Sequence, residues 1–165
     1  HYGSAGWGFW NYTMVIDDCV PIWFIYLQAR GPYVLKGFFA QVGTALQPIV
    51  LFEKPASLRL AYFLSKISER LAGVKIPSLK PSMPDLNLKE WHVYKIEWGD
   101  RVRFYVDDRL VADLLVRDSV RARADAWIDN AVFVPERRGP GRVYRHSTQE
   151  NRRRAYLEID YVAVY

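Results

Sequence analysis

The sequence predicts an all-β sandwich of antiparallel sheets, and three observations carry that prediction. Residues alternate with period two on either side of Gly99-Asp100: Tyr94, Ile96 and Trp98 share one strand face, and Val102, Phe104 and Val106 share the next. The other apolar segments are short and rich in β-branched and aromatic residues, as in Pro21-Ile22-Trp23-Phe24-Ile25-Tyr26-Leu27. Half of the 165 residues are hydrophobic and 15% are aromatic, material for a core between two sheets. A hairpin with one aromatic-aliphatic face must bury it against a second sheet.

Taken in order, residues 1–165 read as one domain. The stretch Gly3 to Gly8 runs into Trp7-Gly8-Phe9-Trp10-Asn11, where glycines alternate with bulky rings in a strand that something approaches closely. Pro21 to Leu27 suits a fully buried strand. Gly31-Pro32 breaks the chain, Gly37 to Val42 forms the next strand, and Ile49 to Phe52 another. From Ala56 to Ala72, Leu60, Phe63, Leu64, Ile67 and Leu71 recur at helical spacing, with Ser57 as N-cap and Gly73 as the stop. Pro77, Pro81 and Pro84 suit an irregular return, so residues 54–89 read as one insertion between strands. In the central hairpin, Gly99-Asp100 reads as a type II′ turn with glycine at positive φ. Asp107-Asp108 then turns the chain into a strand at 110–115, and 126–134 is a strand bent at Asp129-Asn130. Glu136 to Arg154 reads as a polar, Arg-rich loop, and Tyr156 to Tyr165 as a closing strand.

The net charge of +5 permits nucleic acid, anionic lipid or acidic polysaccharide as partner and selects none of them. Cys19 is the single cysteine, which excludes an internal disulfide framework. Abundant Arg with scarce Cys and Met is a composition met in thermophiles. No run of eighteen apolar residues is present, so no spanning helix is expected. The chain opens on His1 without an initiator methionine or signal peptide and reads as a processed or trimmed piece, so its targeting segment is not legible. Asn11-Tyr12-Thr13 matches the N-glycosylation acceptor pattern, a match that chance often supplies.

Three stretches together resemble the second half of the concanavalin A-like lectin/glucanase sandwich found in family-sixteen glycoside hydrolases. They are Trp91-His92-x-Tyr94-x-Ile96-Glu97-Trp98 with Phe104-Tyr105-Val106-Asp107, then Trp127-Ile128-Asp129-Asn130, then Ile159-Asp160-Tyr161-Val162-x-Val164-Tyr165. The resemblance covers residues 90–165 well and 5–45 loosely, and leaves out the helical insertion. It implies a jelly roll of two large curved antiparallel sheets whose concave face holds saccharides. It also implies more strands than the sequence supplies, so either N-terminal strands are missing or another chain completes the sheets. An extracellular or cell-surface location follows from the resemblance alone.

In those hydrolases a strand bearing Glu-x-Asp-x-x-Glu projects its carboxylates into the cleft. Aligned after Pro21-Ile22-Trp23, the three positions here hold Phe38, Ala40 and Gly43, none of which serves as nucleophile or proton donor. Glu158 and Asp160 form a Glu-x-Asp pair in the closing segment, but the third position is Ala163. No catalytic residue is therefore assigned, and a glycosidase with a relocated acid pair is the least favoured reading.

The resemblance points to carbohydrate binding without catalysis, through Trp7, Trp10 and Trp127 as stacking platforms and Asp129 and Asn130 as hydrogen-bonding partners. Trp23 ranks below them. In so aromatic a sandwich, the competing reading of each tryptophan is simple core. Asp160 stands where relatives use an acidic residue in a structural calcium site, against the plainer reading of a solvated carboxylate; no other cofactor is expected. His92 and His146 lack a spaced metal partner, and a structural role suits His92 better. The helix either packs its apolar stripe on the sandwich, the favoured reading, or lies on an anionic membrane surface through Lys54, Arg59, Lys66, Arg70 and Lys75. The loop with Arg137, Arg138, Arg142, Arg145 and Arg152-Arg153-Arg154 reads as solvated. It lacks the aromatic interleaving of single-strand binders, so nucleic acid is not expected. An interaction module that contacts a protein partner, itself or a membrane is the alternative to a lectin.

Overall fold

The computed structural model describes residues 3–11, 20–28, 36–53, 56–68, 75–116, 121–135, 142–146, 151 and 153–165. Cys19, Gly31-Pro32, Lys54, Arg70, Leu71, Gly73, Arg137, Arg138 and Arg152 lie outside them, as do Tyr12 and Thr13 of the acceptor pattern.

The described chain is an all-β sandwich with one helix. Its strands are β1 (Gly3–Trp10), β2 (Ile22–Gln28), β3 (Lys36–Val42), β4 (Ala45–Leu51), β5 (Tyr94–Trp98), β6 (Arg101–Val106), β7 (Arg109–Leu115), β8 (Arg123–Ile128), β9 (Ala131–Pro135) and β10 (Arg142–His146), with α1 (Ala56–Ile67) between β4 and β5. One sheet has the order β4-β3-β2-β1-β8 and the other β5-β6-β7, while β9 and β10 form a two-stranded ribbon. All the pairings between these strands are antiparallel.

The core lies between the two main sheets. Ile22, Phe24, Phe38, Ala40 and Ile49 from the first sheet meet Val102, Phe104, Val106, Val111 and Leu114 from the second. Phe24 is fully buried at the centre, its ring 5.1 Å from Phe104 and 5.8 Å from Phe38. Such edge-on and offset arrangements match the charge distribution of aromatic rings.

Turn chemistry sets the registers. Asp107 and Asp108, at φ 49° and 62°, form the two-residue β6–β7 turn, because Val106 pairs directly with Arg109. Two successive positive φ values are the type I′ geometry, whose twist matches that of the flanking strands. Gly43, at φ 55°, opens the β3–β4 turn between Val42 and Ala45. The β5–β6 turn departs from expectation. Trp98 pairs with Val102, so three residues lie between the last paired positions, and Gly99 is not among the positive-φ residues.

The segment after residue 74 runs along β4 as irregular cover. Leu46 N–H donates to the Lys75 carbonyl at 2.8 Å and Met83 N–H to the Ile49 carbonyl at 3.0 Å, while Ile76 and Leu86 are buried. The β4 edge is thereby blocked to other strands. His92 ties this return to the second sheet: its Nδ1 lies 2.7 Å from Asp107 Oδ2, and its Nε2 lies 3.0 Å from the Asn87 carbonyl.

Four further expectations need correction. The strand at 126–134 is two strands, β8 and β9, broken at Asp129-Asn130 where the bend was expected. The Arg-rich loop contains β10, which pairs with β9. Residues 156–165 form no strand, and Tyr156, Ile159, Tyr161, Val162, Val164 and Tyr165 are exposed. The helix leaves Leu60, Phe63 and Ile67 exposed instead of packing them on the sandwich, while Tyr62 and Leu64 are half-buried.

Candidate functional site

Each strand of the five-stranded sheet has an inner face toward β5–β7 and an outer face away from them. Trp7 and Phe9 of β1 turn inward: Trp7 lies 4.6 Å from Tyr94 and 5.9 Å from Phe24, and Phe9 lies 5.5 Å from Trp98. Trp7 is therefore part of the packing between the sheets and not of the outer surface, a correction to its place among the stacking candidates.

The alternate residues of β1 face outward, and there the sequence supplies Ser4, Gly6, Gly8 and Trp10. Gly8 sits between Trp23 of β2 and Asp125 of β8, and Gly6 between Ile25 and Trp127. Glycine is required at position 6 because a Cβ there would meet the Phe24 carbonyl and lie 2.7 Å from the Trp127 ring. The indole of Trp127 thus folds over bare backbone. It also lies 4.5 Å from the Trp23 ring, and Trp10 approaches Trp23 edge-on at 6.2 Å. All three indoles are half-buried. Ile25, Phe39 and Leu46 are buried on the same outer face, with Trp23 and Trp127 packed against them.

Hydrogen bonds hold the rings in place. Trp127 Nε1 donates to Ser4 Oγ at 3.0 Å, and Ser4 Oγ donates to Asp129 Oδ2 at 3.0 Å. Ser4 N–H reaches Asp129 Oδ1 at 3.1 Å, and Asp129 N–H returns to the Ser4 carbonyl at 2.9 Å. Asp129 Oδ2 thus positions Trp127 through Ser4 Oγ, while Oδ1 accepts from the Ser4 backbone. Trp23 Nε1 donates to Gln41 Oε1 at 2.9 Å, and Gln41 Nε2 donates to the Gly43 carbonyl at 2.8 Å. Arg123 and Asp125 share the outer face of β8 with Trp127 by register, Arg123 opposite Trp10 and Asp125 opposite Gly8.

Of the five residues expected to bind ligand, Trp10 and Trp127 share the outer face and are joined through Trp23, Asp129 is bonded to Ser4 beside Trp127, Asn130 follows just after β8, and Trp7 lies on the opposite face. Trp23, Gln41, Arg123 and Asp125 join the group without having been singled out as its principal members. The only sign of Trp23's direction was Gln41: as the one polar residue within Gly37–Val42 it marks the outward phase of β3, and Trp23 pairs with it.

The same phase corrects the carboxylate alignment. Phe38 and Ala40 are fully or almost fully buried in the inter-sheet core, whereas Gly37, Phe39 and Gln41 occupy the outward phase of β3. Glu158 and Asp160 are exposed on a segment outside both sheets, so strand geometry does not bring them onto one face. Among the described residues no three His, Cys, Asp or Glu side chains converge, and Asp160 is exposed.

His92 has a different task. Its Nε2 faces a carbonyl, which only accepts, so that nitrogen carries a proton. The other nitrogen faces a carboxylate and bonds best when it is protonated as well. Burial opposes the charge, but the Asp107 side chain, the Asn87 carbonyl and the charges of Asp107 and Glu90 outweigh it and raise the His92 pKa above its ordinary 6.5. The Val93 N–H and then His92 hold the Asp107 carboxyl below its ordinary 3.8. Two concavities share no residue with the tryptophan layer. One of about 280 Å³ is lined by Gln47, Pro77 and Leu110–Leu114, the other, of about 330 Å³, by residues that include Met83, His92 and Arg109.

The chain matches no protein-family model, no curated protein and no solved structure.

Proposed function

We propose that this chain is a non-catalytic, lectin-like domain that binds a saccharide on the outer face of the five-stranded sheet. In this reading the sandwich is a concanavalin A-like jelly roll with that sheet as its ligand-bearing layer. The observation that carries the proposal is the run of Trp127, laid over Gly6, in contact with Trp23, which Trp10 meets edge-on, on the face that also carries Gln41, Arg123 and Asp125 and ends at Asp129. Indole faces are electron-rich and attract the polarised C–H groups of a pyranose, while surrounding carboxylate, amide and guanidinium groups bond its hydroxyls. The outward positions of β3 hold Gly37, Phe39 and Gln41, which supports binding without hydrolysis. Calorimetric titration with neutral and acidic oligosaccharides tests the proposal. Binding is expected, with Trp127→Ala and Trp10→Ala each lowering affinity about tenfold or more. No binding across a broad glycan panel sinks it.

One observation favours a second reading. Leu60, Phe63 and Ile67 are 52–63% exposed along one side of α1, flanked by Arg59 and Lys66, and the helix contains no acidic residue. An apolar stripe beside cations suits an anionic bilayer surface. Flotation with anionic vesicles is expected to carry the protein upward and Phe63→Glu to abolish that. Equal recovery with zwitterionic vesicles, or none with either, counts against it.

A further inference from the structure

We infer that residues 156–165 form a β-strand on the open edge of β5 in a second copy of this chain, producing a symmetric, strand-exchanged dimer. The sandwich is unevenly closed. β7 faces β3 and β4, β6 faces β2 through Phe104 and Phe24, and β5 faces β1 through Tyr94 and Trp7. One place further along the large sheet lies β8, with no described strand opposite it. Ala124 and Ala126 pair with Phe9 and Trp7 and Ile128 with Ala5, so all three share the inner face, yet all three are exposed.

Among the described residues the facing sheet ends at β5, which pairs there with β6 alone. The burial of its inward residues falls away accordingly. Val102, Phe104 and Val106 of β6 are 0% exposed, whereas Tyr94, Ile96 and Trp98 of β5 are only half-buried. One strand beside β5 would cover both faces. The β4 edge needs none, since the return segment already covers it.

The same chain carries an unpaired segment of suitable pattern. In extended form, Leu157, Ile159, Tyr161, Ala163 and Tyr165 share one face, opposite Glu158 and Asp160. Ile159 and Tyr161 are 47% and 70% exposed, an arrangement that costs apolar hydration as it stands. The segment has two carboxylates and no cation in a chain of net +5. On the solvent face of β5, Lys95 lies 3.1 Å from Glu97, so that face is balanced and the fit rests on the apolar side of the segment. Donor and acceptor are both exposed on one molecule, and two copies related by a two-fold axis satisfy both through the same contact twice. Backbone pairing along the edge supplies the affinity, and Ile159 and Tyr161 against the Ala124-Ala126-Ile128 face supply the specificity.

Light scattering on the full chain, paired with hydrogen exchange, tests this. The expected result is a particle of twice the chain mass with slowly exchanging amides across 156–165. The double variant Ile159→Lys/Tyr161→Lys should dissociate about tenfold or more readily with unchanged circular dichroism. These side chains are exposed in the single copy, so their replacement leaves the sandwich intact. A monomer at all soluble concentrations overturns the inference, whether its 156–165 amides are unprotected or protected by pairing within the same copy. A dimer indifferent to the double variant overturns it as well.

Discussion

Ser4→Ala removes one hydroxyl that accepts from Trp127 Nε1 and donates to Asp129 Oδ2, both at 3.0 Å. A neutral hydrogen bond contributes about 0.5–1.5 kcal/mol and one to a charged group about 1.5–3 kcal/mol. The cluster is part-buried, so the lower ends apply, for a loss of about 2 kcal/mol. The backbone links Ser4 N–H to Asp129 Oδ1 and Asp129 N–H to the Ser4 carbonyl survive, so the β1–β8 register should hold. Urea unfolding followed by far-UV circular dichroism measures the loss. A cycle with Trp127→Phe, which removes the Nε1 donor and keeps most of the ring, should return a coupling of about 0.5–1.5 kcal/mol. Ser4→Thr keeps the hydroxyl and should restore most of the stability. Additive single losses, or a Ser4→Ala loss below about 0.5 kcal/mol, would show that the clamp does not hold Trp127 in solution.

Stability should depend on pH through His92 and Asp107. The raised His92 pKa makes its contribution complete below the ordinary 6.5 and lost as pH rises through the folded value, while the lowered Asp107 pKa makes its contribution complete above the ordinary 3.8 and lost as pH falls through its folded value. The urea midpoint should therefore be highest between these limits, and His92→Gln should flatten its decline on the alkaline side; an unchanged profile in that variant refutes the assignment. Asp108→Gly should stabilise by up to about 1 kcal/mol, because the residue holds φ 62° in a turn that favours glycine there; a lower midpoint would contradict the type I′ reading. Gly6→Ala should destabilise by about 1–3 kcal/mol and weaken saccharide binding, since its Cβ collides with the Trp127 ring and backbone, whereas Gly99→Ala meets nothing within 4 Å and serves as a near-neutral control; equal behaviour of the two variants refutes the close approach.

The fold was legible where one strand face differed from the other. The alternation of Tyr94, Ile96 and Trp98 against Lys95 and Glu97 located β5, and the Asp107-Asp108 pair located the turn into β7. Phase was lost where both faces are apolar. Gly37 to Val42 and Ile22 to Leu27 are buried by two different clusters, one between the sheets and one beside the tryptophans on the outer face, so period two says strand without saying which side is which. That ambiguity put Phe38 and Ala40 on the wrong face and hid Trp23. β10 was missed because Arg142, Arg145 and His146 bracket its apolar Val143-Tyr144, and ladder pairing with β9 outweighs composition. The closing segment shows the converse: strong strand preference without a neighbour makes no strand. Pairing is a tertiary event, and the alternation of Leu157 to Tyr165 records a preference that its own copy does not satisfy.

The tryptophan layer and the sandwich core depend on one strand. β1 alternates large and minimal residues: Trp7 and Phe9 fill the space against Tyr94 and Trp98, while Gly6 and Gly8 clear the opposite face. A sheet one strand thick cannot relax one of these faces without moving the other, because the same peptide planes carry both. β8 joins them: its outward Trp127 covers Gly6, and its inward Ala124, Ala126 and Ile128 face the space beside β5. A strand entering that space would press on the back of the one that carries Trp127. Occupancy of the β5 edge and ligand affinity at the outer face would then be linked through β8, with the small Ala124 and Ala126 side chains setting how closely the incoming strand approaches.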